Sequence, residues 1–264
     1  MEKRRINNDQ FVKQQYKDDK GLLIRKNLHK KYSTNKQGFG NWLFELMNIS
    51  SAGKILEVGS GNGDFWQSNV KMLKATTKLV LSDFSDGMVE LMCEKYDQEN
   101  IDIMQINIQD IPFEDNSFDL IIANAMLYHV PELEKALGEV KRVLKPSGKF
   151  FASTYGENGL SSFIFETLEK LDIEMPKDSN KTFTLQNGED KLLGHFEEVN
   201  RMDYEDKLMI THIQDLVDYI FSMTSMSKLD IEEKSKVQDY LDKLMKEKTI
   251  IEIRKEYGCF ISSK

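Results

Sequence analysis

Cysteine is scarce: Cys93 and Cys259 are the only two in 264 residues. That excludes a disulfide framework, and neither residue has a neighbour that completes a zinc or redox motif. Both read as plain core, no metal is expected, and a reducing cytoplasm is the simplest location. Long apolar runs are missing too. None approaches the roughly 20 residues of a transmembrane helix, so no membrane span is expected. The charged opening MEKRRINNDQFVKQQYKDDK has no apolar segment behind it and is not expected to act as a secretory signal. Internal repeats and low-complexity tracts are absent. What remains, 40% hydrophobic and 30% charged residues, is the composition of a globular protein with one large domain, or one domain and a smaller cap.

An excess of positive charge is also lacking. The net charge of −8 disfavours a general nucleic-acid binder. The balance is uneven, however: residues 1–32 hold ten Lys/Arg against four Asp/Glu. That run reads either as the solvated face of a helix, the favoured reading, or as a basic arm for an acidic substrate.

Apolar and aromatic residues at helical spacing (Phe11, Tyr16, Leu22, Leu23 and Leu28, then Trp42, Leu43, Leu46 and Met47) predict N-terminal helices broken near STNKQGFG. From Lys54 short apolar runs alternate with helix-length stretches: KILEVG then 64–75, KLVLSD then 86–96, IDIMQIN, FDLIIAN then 132–144, and KFFAST. This rhythm predicts a doubly wound, mostly parallel α/β sheet. KPSG at 145–148 is the turn into the fifth strand. Further on come an amphipathic stretch at 160–172, a polar loop around PKDSNKTF, a strand over 196–210 and helices near 213–224 and 229–247. The expected organisation is an N-terminal helical cap, 1–48, on a Rossmann-like domain, 49–264, with helical insertions near 156–195 and 211–248. The cap belongs over the carboxyl ends of the strands, where open α/β sheets bind ligands.

A glycine turn, LEVGSGNGDF, follows the first strand. Its glycines, Gly59, Gly61 and Gly63, read G-x-G-x-G, whereas the dinucleotide fingerprint is G-x-G-x-x-G. Position 64 is Asp, which would repel a pyrophosphate, and Glu57 adds negative charge. No Gly-Lys-Ser/Thr follows, so the phosphate-binding P-loop fails as well. Glycines for close approach with acidic flanks suit a ligand with a nucleoside and a cationic end, such as S-adenosylmethionine. Asp83 ends the second strand, where a carboxylate can take both ribose hydroxyls; a helix cap is its plainer role. Asp110 and Ile111 follow the third strand, as an acid for the adenine amino group and an apolar ring neighbour. Asn124 ends the fourth strand, beside the methionine portion. Gly63 serves helix packing as much as the ligand.

Residues 54–154 resemble class I S-adenosylmethionine-dependent methyltransferases of the small-molecule type, similar to the ubiquinone/menaquinone methyltransferases. The matching pieces are LEVGSGNGDF, LSDFSDGM, DIPFEDNSFDLIIANAMLYHV and VKRVLKPSGKF, in family order. The resemblance implies a seven-stranded sheet whose last strand, YGCFISSK, is antiparallel and inserts beside the fifth. It also implies that Gly59, Gly61, Asp83, Asp110, Ile111 and Asn124 contact the cofactor.

Methyl transfer from a sulfonium needs alignment and exclusion of water more than a catalytic constellation. Base-amino methylation of nucleic acids usually goes with Asn/Asp-Pro-Pro-aromatic after the fourth strand, and here Ala-Met-Leu follows Asn124. Pyrimidine C5 methylation usually places its cysteine after proline, and no such pair exists. A small organic acceptor, methylated at O, N or C, is the leading expectation. An RNA methyltransferase and a non-catalytic S-adenosylmethionine-binding partner are the alternatives. His129 is either the general base or a packed histidine that orders the Val130-Pro131 turn. Tyr128 and Tyr155 line the acceptor pocket or join the core. Tyr32, Phe39 and Trp42 flank a loop that closes over the cofactor or merely packs helices. FSMTSMSK, 221–228, reads as helix packing or an adaptable apolar wall. A monomer or homodimer is expected.

Overall fold

The computed structural model describes residues 20–174, 182–223, 226 and 229–264. Phe11, Tyr16, most of the basic 1–32 run, most of PKDSNKTF and half of FSMTSMSK lie outside the described residues. Two helices, α1 (Lys20–Tyr32) and α2 (Phe39–Met47), precede the sheet. Then come β1 (Lys54–Val58), α3 (Asp64–Gln67), β2 (Lys78–Asp83), α4 (Asp86–Lys95), β3 (Ile101–Gln105), β4 (Phe118–Asn124), α5 (Leu133–Val143) and β5 (Leu144–Tyr155). The chain continues through α6 (Leu160–Glu169), α7 (Gly188–Leu193), β6 (Glu198–Ile210), α8 (Ile213–Phe221), α9 (Ile231–Lys248) and β7 (Ile251–Ser263).

The seven strands form one sheet in the order β3-β2-β1-β4-β5-β7-β6. Neighbours from β3 to β5 are parallel, and β7 runs antiparallel to both β5 and β6. The final strand inserts beside the fifth, as expected. Because successive strand residues point to opposite faces, the apolar runs supply two cores. Leu56, Val80, Ile121 and Phe150 meet α5 and α7 on one face. Ile55, Leu79, Leu81, Ile122 and Cys259 meet α2, α3 and α4 on the other. Each fully buried Leu or Ile contributes roughly 1.5–3 kcal/mol to holding these layers together.

Four expectations change. KPSG at 145–148 is not a turn ahead of the fifth strand but lies within β5, where the pairing with β4 shifts register between Leu144 and Lys149. The stretch 64–75 forms only the four-residue α3 and a 3-10 turn at Val70–Met72. The Asn69 side chain donates to the Phe65 carbonyl at 2.7 Å, a local bond that competes with helix continuation. The final strand begins at Ile251 rather than near Tyr257, because residues 251–255 alternate buried and exposed. Cys93 is exposed on α4, so only Cys259 is core.

The lengthening of β7 positions the cap. Only 257–263 of β7 pairs with β5, while β6 pairs along the whole of 251–263. Residues 205–210 and 251–256 therefore extend as a two-stranded stalk beyond the carboxyl end of β5. A third core forms around it: Leu208, Ile210, Ile251 and Ile253 of the stalk pack with Leu28 of α1, Ile164 of α6, Val217 of α8 and Leu241 of α9. Among the described residues no helix is long and apolar enough to cross a membrane.

Candidate active site

Between the strands' carboxyl ends and the cap lies a cavity of about 830 Å³, within the range of small-molecule sites. Its floor is the turn after β1. Gly59 and Gly61 have φ +69° and +58°, which only glycine adopts cheaply. A Cβ on Gly59 would stand 2.8 Å from the Met126 side chain, whereas one on Gly61 would meet nothing within 4 Å. The Gly61 N–H donates to Asp83 Oδ2 at 2.9 Å, and the Ser85 N–H donates to Oδ1 at 2.9 Å. A carboxylate has about four lone-pair sites, so these bonds orient Asp83 and leave it further acceptor capacity. Burial raises its pKa, and the backbone donors oppose that shift.

Glu57, Gly59, Gly61, Asp83, Asn124, Tyr128, His129, Tyr155 and Phe39 all line the cavity. Asn124 Oδ1 accepts from Ser153 Oγ at 2.6 Å, which fixes the end of β4 against β5. Burial, with the Arg25 charge second, lowers the His129 pKa to about 4, so its imidazole is neutral at neutral pH. Tyr155 is 37% exposed, yet burial raises its pKa, as suits a ring facing an internal cavity.

Five expected site residues stand elsewhere. Gly63 is a packing glycine: Tyr96 Oη donates to its carbonyl at 2.6 Å, and a Cβ would lie 2.7 Å from that ring. Asp110 closes a tight turn through its N–H to the Asn107 carbonyl at 2.9 Å. The cavity is lined by Asn107, Ile108 and Gln109 just before it. Ile111 is buried in the α5 face, its N–H on Glu139 and its carbonyl on Arg142. Tyr32 lies in the cap core and donates to Asp215. Trp42 stacks on Phe39 at 5.5 Å without reaching the cavity.

The acidic flank changes meaning as well. Glu57 accepts from Trp66 Nε1 at 2.8 Å, and burial pushes its pKa up to about 7. Burial alone would raise the Asp64 pKa, but Lys26 and Lys95 pair with it and hold it below the usual range. The negative charge expected around the turn is therefore largely neutralised within the protein. The case against a pyrophosphate now rests on geometry: α3 is a single turn, too short for a strong dipole, and Gly63 is occupied by Tyr96.

The sequence reading missed the cap side. Arg25, Lys26, His29, Lys30 and Ser33 all face the cavity, at spacings that place them along one side of α1 and its end. Tyr257 of β7 lies against His29 Nε2 at 3.0 Å, and burial, then Lys255, lowers the His29 pKa to about 3. The α1 stripe was readable as a pattern, but nothing in it said which side would be covered.

Residues 56–152 match the family described as a methyltransferase domain. The ubiquinone/menaquinone biosynthesis C-methyltransferase UbiE of Cronobacter sakazakii is 33% identical over 121 residues, covering 44% of this chain and 46% of that enzyme. The chain thus spans about half the length of the curated relatives it matches. A putative methyltransferase from an antibiotic biosynthesis pathway of Anabaena variabilis shares the fold, with TM-score 0.63 and 14% identity over 85% of this chain and 96% of that one. The [4+2]-cyclase SpnF also shares it, with TM-score 0.60 and 15% identity over 97% of each chain. This fold thus carries more than one chemistry, and the function of the chain must be argued from its site.

Proposed function

We propose that this protein transfers a methyl group from S-adenosylmethionine to a small organic acceptor at carbon, nitrogen or oxygen. One observation carries the reading: the turn of the methyltransferase domain presents Gly61 to open space while its N–H fixes the Asp83 carboxylate beside it. That cradle fits a ligand with ribose hydroxyls and no phosphate. The name C-methyltransferase belongs to the UbiE relatives and supports keeping carbon among the candidate atoms.

When bound, S-adenosylmethionine supplies a methyl group already activated by its sulfonium. Asp83 takes the ribose hydroxyls, Gly59 and Gly61 allow close backbone approach, and Asn124 holds the methionine portion. Ile108 and Gln109 take the adenine side in place of Asp110 and Ile111. The cap excludes water and aligns the acceptor, which is most of what an in-line displacement requires. His129, neutral and close to the end of β4, accepts a proton where the acceptor is a hydroxyl or amine. The expected setting is a cytoplasmic monomer or homodimer without a nucleic-acid partner.

Calorimetric titration with S-adenosylmethionine and S-adenosylhomocysteine, with NADH as control, tests the cofactor. Wild type is expected to bind the first two at micromolar level, and Asp83→Ala to weaken both by at least about tenfold, 1.4 kcal/mol. Preference for NADH, or equal affinity in Asp83→Ala, refutes the reading.

A further inference from the structure

On the cap side of the cavity stands a cation with no ion-pair partner among the described residues. Arg25, half-buried on α1, donates from Nη1 to the Ser222 carbonyl at 3.3 Å. No carboxylate lies within salt-bridge distance of it among the described residues. A guanidinium has five N–H donors, so this one bond fixes the group and leaves most of its donors available. Two other cations of the lining are ion-paired, Lys26 with Asp64 and Lys255 with Asp206, while Lys36 donates to the Ser33 carbonyl. Arg25 also lies close enough to His129 and Tyr155 for its charge to shift both.

Beside it runs a wall of rings. Tyr128 and Tyr155 are 5.6 Å apart between centroids, Tyr155 and Tyr257 4.8 Å, and Tyr257 and Phe39 5.4 Å. All four line the cavity. A flat ligand is favoured against such a surface. A sulfonium and a guanidinium that no described carboxylate pairs with repel each other in one partly dry cavity, and a negative acceptor reduces that cost.

Resting on the methyl-transfer reading, we propose that the acceptor is a flat anion, an arene carboxylate or aryl phosphate, with its ring on the Tyr155 wall and its anionic oxygens on the Arg25 guanidinium. The planar fork of arginine matches both groups bidentately.

The test titrates 4-hydroxybenzoate, phenyl phosphate and the neutral 4-hydroxybenzamide into the protein, with and without S-adenosylhomocysteine. At least one anion is expected to bind roughly tenfold or more tightly than the amide. Arg25→Gln is expected to erase that preference while leaving S-adenosylhomocysteine affinity within about twofold. Preference for the carboxylate over phenyl phosphate, or the reverse, identifies the anionic group. An amide that binds as well as the anions, or no anion binding below roughly 10 mM, overturns the proposal. So does an Arg25→Gln variant with about tenfold weaker S-adenosylhomocysteine binding, because the arginine then serves the cofactor's own carboxylate. The comparison of anion with amide uses wild type and does not depend on the variant folding. Failure of S-adenosylhomocysteine to bind wild type rejects the methyl-transfer reading instead, and anion selectivity of the free protein still decides the role of Arg25.

Discussion

Glu57 and the cavity histidines pull stability in opposite directions as pH changes. The folded pKa of Glu57 is raised from 4.5 to about 7, so the folded state holds its proton longer than the unfolded chain does. Its stabilising contribution is therefore complete below pH 4.5 and is lost as pH rises through 7. His29 and His129 are lowered from 6.5 to about 3 and about 4, so the native state refuses protons that the unfolded chain accepts. Their contribution is complete above pH 6.5 and lost as pH falls. A scan of wild type alone mixes the two effects. Glu57→Gln separates them, since Gln Oε1 still accepts from Trp66 but never ionises. Relative to wild type, the variant is expected to gain on the order of 3 kcal/mol between acid and mildly alkaline pH. Calorimetric melting of both proteins across that range checks it. A constant difference would mean that Glu57 ionises as freely in the folded protein as in the unfolded one.

At the scale of elements, the turn after β1 makes the sharpest contrast. Alanine at Gly59 or Gly61 meets the same left-handed penalty, roughly 1–2 kcal/mol. Gly59→Ala also drives its Cβ into Met126, 2.8 Å away, so it is expected to lose clearly more stability. Gly61→Ala has open space and is expected to melt only a few degrees lower while losing most of its S-adenosylhomocysteine affinity. Thermal melts set beside titrations check this, and parallel losses in the two variants would remove Gly61 from the ligand floor. This turn and the five strands around it were legible because short buried runs and positive-φ glycines are local signals. The stalk was not: residues 251–256 look charged, and only pairing with β6 makes them a strand. Asp110 and Ile111 were misplaced for a related reason, since the tight turn at Asn107 closes the chain away from the cavity sooner than the strand pattern suggests. Arg25 and His29 carried a helical pattern, but which face the ligand meets is decided by the distant stalk and α8.

For the molecule as a whole, one carboxylate joins the cap to the sheet. Asp206 on β6 accepts from the Asn35 N–H at 2.9 Å and from Thr34 Oγ1 at 3.2 Å, and it pairs with Lys255 of β7. Lys255 in turn donates to Ser33 Oγ at 3.0 Å, while Ser33 bridges Leu208. The loop between α1 and α2, whose Asn35, Lys36 and Phe39 line the cavity, is thus tied to the stalk through Asp206. Both side chains of the pair are buried, at 3% and 0% exposure, so removing one partner leaves a charge without compensation. Lys255→Met is expected to cost about 3–5 kcal/mol, a drop in melting temperature on the order of 10 °C for a chain of this size. Adding Asp206→Asn removes the orphaned charge and should recover much of that loss. The Asn35 and Thr34 amides should nevertheless exchange faster with solvent in the double variant, because Asn35 loses a charge-assisted acceptor and Lys255 no longer holds Ser33. Hydrogen exchange resolved to this loop separates the two effects. Full recovery of melting temperature with unchanged exchange would show that the pair is only a buried charge couple, and that packing of α1 on α8 holds the cap over the cavity.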